Sequence, residues 1–158
     1  MLRSWLVSLL SLSGLGLMAQ TELGGGLTFG TGADEIGLHL KGHLPLSPRF
    51  DLSPGFNLFV FEANGPRERY FWEINGDVHA LFDATPRLVV YPLAGLSLGV
   101  RQTRAPHEPD LNQLRPGLNL GGGASYYLTP ALAANGELKF VVGPFSQAVL
   151  TLGVLYTL

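Results

Sequence analysis

His39, Lys41 and His43 alternate with Leu38, Leu40 and Gly42, so an extended chain sets two imidazoles and an amine on one face. Paired imidazoles can hold a divalent ion or work as an acid/base pair. Glu73, Asp77 and His79 form a second such row, which on paper is an acid/base cluster. Neither row is complete: the first has no carboxylate in its own segment, and the second has one histidine. The placement of both depends on the segments that carry them.

Those segments alternate with period two, the signature of strands. From Leu114 to Tyr126 the even-numbered residues Leu114, Pro116, Leu118, Leu120, Gly122, Ala124 and Tyr126 share one face, and Arg115, Asn119 and Ser125 lie on the other. After Leu128-Thr129-Pro130 the alternation resumes, with Leu132, Leu138, Phe140 and Val142 against Asn135, Glu137 and Lys139. The two runs predict a β-hairpin. The link occurs twice earlier, as Leu46-Ser47-Pro48-Arg49-Phe50 and Ala84-Thr85-Pro86-Arg87-Leu88, so every second connection is built alike. Proline suits these points because its fixed φ fits a turn and its missing N–H costs no ladder bond.

Eight alternating segments are predicted after Glu22, and no helix. They run over about Glu22 to Gly30, Ile36 to Leu44, Phe50 to Val60, Tyr70 to Phe82, Leu88 to Arg101, Leu114 to Tyr127, Leu132 to Val142, and Gln147 to Leu158. Asn64-Gly65-Pro66 and Gly143-Pro144 mark turns, and 102–113 reads as an exposed loop.

Only 14% of the 158 residues are charged, against roughly 25% in ordinary globular proteins, while glycine contributes 21. A net charge of −2 offers no footprint for nucleic acid. The absence of cysteine excludes disulfides and thiolate metal sites. Residues 1–19 read as a cleaved signal peptide: Arg3, the apolar run from Leu6 to Leu17, then Ala19 before Gln20. Residues 20–158 then form one all-β domain.

Alternation leaves open which face points inward. The apolar faces carry too much Leu, Phe, Val, Ile and Trp for the lumen of an eight-stranded barrel, and the other faces are rich in Gly and Ser, as a cramped interior requires. No Asp, Glu, Lys or Arg falls mid-strand on the apolar parity, where a basic residue in lipid would cost about 2–4 kcal/mol. The expected fold is an eight-stranded, antiparallel, up-and-down transmembrane β-barrel with its apolar face outward. Phe50, Phe82, Tyr126 and Tyr156 at one end, and Tyr70 and Trp72 at the other, are expected to form aromatic girdles. Lys41, Glu73, Asp77, Arg101, Arg115, Glu137 and Lys139 then point inward and must compensate one another. Glu73, Asp77 and Glu137 are all open as partners for Lys139. On this reading His39, His43 and His79 are polar packing, and no metal, cofactor or catalytic residue is expected.

The chain from Glu22 to Leu158 resembles the small eight-stranded outer-membrane barrels, the OmpA-like transmembrane domain and opacity-protein group. Its most telling piece is the run Gly117-Leu118-Asn119-Leu120-Gly121-Gly122-Gly123-Ala124-Ser125-Tyr126-Tyr127-Leu128-Thr129-Pro130, which looks like their penultimate hairpin. Two departures stand out: Leu158 where the family's assembly signal usually ends in Phe, and no peptidoglycan-binding domain after it. The resemblance implies a bacterial outer-membrane location, outer-membrane lipid and the barrel-assembly machinery as partners, and a structural or surface-interaction role with a filled interior. A lipid-modifying barrel enzyme, like the lipid A deacylases, is the catalytic alternative. That family needs a lipid-facing His and Ser two residues apart, and no His-x-Ser occurs here. An adhesin acting through loops 62–69 and 102–113 is the other.

Overall fold

The computed structural model describes residues 21–32, 35–61, 68–104 and 111–158. The predicted signal peptide and His107 lie outside them, as do 62–67 and 105–110, which belong to the two proposed adhesive loops. The described chain forms strands β1 (Glu22–Gly30), β2 (Glu35–Ser47), β3 (Phe50–Phe61), β4 (Glu68–Ala80), β5 (Phe82–Thr85), β6 (Leu88–Arg104), β7 (Leu111–Thr129), β8 (Leu132–Val142) and β9 (Gln147–Thr157). All pairings are antiparallel, each strand with its sequence neighbours except that β4 pairs with β6 rather than β5; β1 pairs with β9 from Glu22↔Thr157 to Gly30↔Val149. The sheet closes on itself, and because β5 continues β4 the barrel has eight staves. Closure removes the unpaired edges that an open sheet would present to lipid.

Residue parity runs through every stave. Leu27, Leu38, Leu40, Ile74, Leu96, Leu118, Leu138 and Leu152 are exposed around the wall, while Phe59, Phe71, Tyr91, Lys139, Val149 and Leu155 are buried inside. An exposed apolar belt this extensive has no stable interface with water and is matched by hydrocarbon.

The structure departs from the predicted strands at a break in one stave and at several strand ends. The fourth stave does not run unbroken to Phe82: β3 stops pairing with it at Phe50↔Ala80, and Leu81 N instead donates to Arg49 O of the adjoining turn at 2.8 Å. Only β6 accompanies β5, so the wall opens at this end. The exposed loop is also shorter than 102–113, because Gln102↔Asn112 and Thr103↔Leu111 continue the β6–β7 ladder; likewise β4 starts at Glu68. Beyond the belt neither face need be apolar, so the alternation vanishes before the hydrogen bonding does.

The three proline links share a mechanism that proline alone does not explain. Ser47 Oγ accepts from the N–H groups of Arg49 and Phe50, at 3.3 and 3.1 Å. Thr85 Oγ1 does the same for Arg87 and Leu88, and Thr129 Oγ1 for Ala131 and Leu132, each pair at 3.3 and 3.0 Å. Each hydroxyl closes a side-chain turn and satisfies two backbone donors. The carbonyls of Arg49, Arg87 and Ala131 then accept from Leu81, Tyr127 and Thr157 on the next stave.

Candidate functional site

The lumen is layered along the barrel axis, and each layer follows from the inward parity of several staves. At the end away from the proline turns, Phe59 and Phe71 stack with ring centroids 5.6 Å apart, and Phe145 meets Phe71 edge-on at the same distance. Arg101 and Arg115 lie over the Phe145 ring at 4.6 and 5.4 Å. Both arginines are half-buried. Arg115 also donates to Gln113 Oε1 and Pro144 O, so this pair closes a mouth and stands apart from the ion pairs deeper in.

One layer down, Glu73 is buried and met by amides: Asn57 Nδ2 at 3.1 Å and Asn75 Nδ2 at 2.9 Å on Oε1, and Gln147 Nε2 at 3.2 Å on Oε2. His39 binds the Asn57 carbonyl oxygen. In mid-barrel, Lys139 Nζ reaches Asp77 Oδ2 at 3.1 Å, and Asp77 also accepts from Asn119 at 2.7 Å. Lys41 Nζ lies 2.7 Å from Glu137 Oε2, which takes the Tyr91 hydroxyl at 3.2 Å as well. Asn135 ties this group together by donating to Tyr91 Oη at 2.8 Å and to Ser125 Oγ at 3.0 Å.

Toward the proline turns the lumen widens into an open vestibule of ≈ 770 Å³ lined by Glu22, His43, Asp51, Tyr91, Ser125 and Tyr127 and rimmed by Arg49, Leu81 and Asp83. The opening lies where β4 breaks. Behind this floor, His79 stacks on Tyr91 with centroids 4.3 Å apart and planes at 11°, and His43 meets His79 edge-on at 5.0 Å. Tyr127 donates to Glu22 Oε1 at 2.7 Å and so anchors the start of β1 across the lumen.

The inward residues read from the sequence therefore lie in three separate layers. Lys41, Asp77, Glu137 and Lys139 meet in the middle, Glu73 sits one layer away, and Arg101 and Arg115 lie at the far mouth. Sequence reading passed over Glu22 and the grouping of His43, Asp51 and His79, whose ligand-type atoms all lie within 4.8 Å of one another. They come from β2, β3 and β4, and no within-strand spacing reports such a meeting. The expected girdle residues Phe50, Phe82, Tyr126 and Tyr156 are exposed on the outer wall at the proline-turn end. Trp72 packs with Phe56 at the other end, 6.4 Å between centroids, and Tyr70 lies half-buried beyond it.

No protein-family model matches the sequence, and no curated protein does. Solved structures do. Neisserial surface protein A superposes with a TM-score of 0.69 at 14% identity, over 87% of this chain and 96% of that one. The N-terminal β-barrel domain of Pseudomonas aeruginosa OprF gives 0.68 at 20% identity, over 88% and 97%. The chain has the fold of the small eight-stranded outer-membrane β-barrels. Ail, the attachment invasion locus protein of Yersinia pestis, has the same fold with a TM-score of 0.64 at 14% identity, over 87% and 95%. The barrel turns its inward-parity side chains into the lumen. Here His39, His43 and His79 are all buried there, away from the lipid where a deacylase-type histidine must lie.

Proposed function

We propose that the protein works in the bacterial outer membrane as an integral, non-catalytic barrel whose role is structural or surface-interactive. The observation that carries this reading is the pairing of a closed, eight-stave wall that is apolar outside with a lumen packed by polar and charged side chains. Short turns face the periplasm in such barrels, which assigns the Ser/Thr-Pro turns and both ends of the described chain to that side. Outer-membrane lipid surrounds the belt, and the barrel-assembly machinery inserts it. The test is membrane fractionation followed by gel migration with and without boiling. Recovery in the outer-membrane fraction, with a shift on heating, supports the reading; a folded protein in the periplasm without detergent removes it.

A second reading, surface adhesion, is favoured by the β6–β7 hairpin. Its strands have 17 and 19 residues, whereas about 9–11 cross a bilayer, so the ladder projects past the belt on the outer side. Ail, a neighbour in fold, is named for attachment. Deleting 105–110 should leave heat-modifiable folding intact while abolishing adhesion to host cells or matrix; unchanged adhesion removes this second reading.

A further inference from the structure

Among the described residues the lumen buries five carboxylates, Glu22, Asp51, Glu73, Asp77 and Glu137, against two ammonium groups, Lys41 and Lys139. Amides hold Glu73, Lys139 holds Asp77, and Lys41 holds Glu137. Glu22 and Asp51 instead face imidazoles on the vestibule floor. His43 Nδ1 lies 3.3 Å from Glu22 Oε2 and 3.4 Å from Asp51 Oδ2, and His79 Nδ1 lies 3.7 Å from Asp51 Oδ1.

Asp51 thus sits between two imidazoles without being hydrogen-bonded to them: both separations exceed the usual N–H···O range of about 2.7–3.2 Å. Asp51 Oδ1 and His79 Nδ1, which face each other, are both buried with no hydrogen-bond partner. Each such atom costs about 1–3 kcal/mol, so their gathering in one place points to an occupant. The separations fit one. Two ligands bonded to one tetrahedral ion at about 2.0–2.2 Å are about 3.4 Å apart.

We propose that His43, Asp51 and His79 bind a first-row divalent transition-metal ion, with Glu22 as a fourth ligand. Two imidazole nitrogens with carboxylate oxygens suit Zn²⁺ or Co²⁺, whereas Mg²⁺ and Ca²⁺ take all-oxygen sets. Two carboxylates neutralise the dication, which a buried site in the lumen requires. The Tyr91 ring stacked on His79 and the Tyr127 hydroxyl on Glu22 Oε1 already hold two of the ligands, leaving Glu22 Oε2 toward the site. The ion reaches it through the vestibule, which His43, Asp51 and Glu22 line.

The test uses the whole barrel, without a histidine tag, refolded in detergent and titrated with Co²⁺. The folded protein should develop the visible d–d absorption of four-coordinate cobalt, saturating at one ion per chain and bleached by Zn²⁺. His79→Gln and Asp51→Asn should each bind about tenfold or more weakly, while His39→Gln, whose ring is engaged by Asn57 one layer away, should bind as the parent does. No cobalt spectrum from the folded parent, or an undiminished one from His79→Gln and Asp51→Asn, overturns the proposal. Should those variants fail to fold, X-ray absorption of the zinc-loaded parent decides: two imidazole ligands sustain the site, and an oxygen-only shell overturns it.

Discussion

Lys139 and Leu138 are neighbours in β8 that meet opposite solvents, and the contrast sets the strongest constraints on substitution. Lys139 is buried against Asp77, whereas Leu138 is 46% exposed on the belt. Lys139→Met leaves the Asp77 carboxylate buried without its cation and should destabilise the barrel by about 3–5 kcal/mol in urea unfolding from lipid vesicles. Adding Asp77→Asn should restore much of that loss. Adding Glu137→Gln should not, because Glu137 belongs to Lys41. Leu138→Arg should lose about 2–4 kcal/mol in the same assay by setting a guanidinium in hydrocarbon. The sequence made the parity of these residues plain but left three carboxylates open for Lys139. Partners such as Lys41 and Glu137, 96 residues apart, meet across the lumen, where strand stagger rather than sequence spacing sets the height of each side chain.

At the scale of the element, the three Ser/Thr-Pro turns show why a repeat was legible before its chemistry was. Proline announced each turn, yet the hydroxyl just before it closes the turn by accepting from two N–H groups. Thr129→Ala should therefore cost about 0.5–1.5 kcal/mol in vesicle unfolding, and Thr129→Ser, which keeps the oxygen, should cost less. A loss no larger for alanine than for serine would show the hydroxyl to be dispensable. Strand ends were less legible than strand centres for a related reason. The belt enforces alternation only across the membrane, so the extra pairs Gln102↔Asn112 and Thr103↔Leu111 carry no alternation. The break at Leu81 was hidden because Phe82 keeps the outward parity of Ile74 and Val78 after the ladder to β3 has ended. Gly123 marks the opposite case, in which a missing side chain is the signal: a Cβ there would stand 2.6 Å from the Tyr91 hydroxyl. Its place in the Gly121-Gly122-Gly123 run shows where β7 makes room for that ring.

Across the whole molecule the described lumen side chains lie in layers in series, and on the proposed reading of a filled interior these layers decide what the barrel can conduct. Phe59 stacked on Phe71, with Phe145 edge-on, lies at one mouth, and the ion pairs Lys41–Glu137 and Lys139–Asp77 with Tyr91 lie in the middle. Among the described residues the end near β5 widens, and the vestibule there has the buried ring of His79 behind its floor. Current through layers in series is limited by the tightest of them, so relieving one should change little. The parent protein in planar bilayers should give no large, stable conductance steps. The double variant Phe59→Ser, Phe71→Ser should also stay silent, because the buried ion-pair layer remains intact beneath it. Large steady steps from the parent would mean that the charged layer separates in the membrane, and the protein would then have to be regarded as a channel. Steps only from the double variant would place the whole barrier in the aromatic mouth and leave the ion pairs a purely structural part.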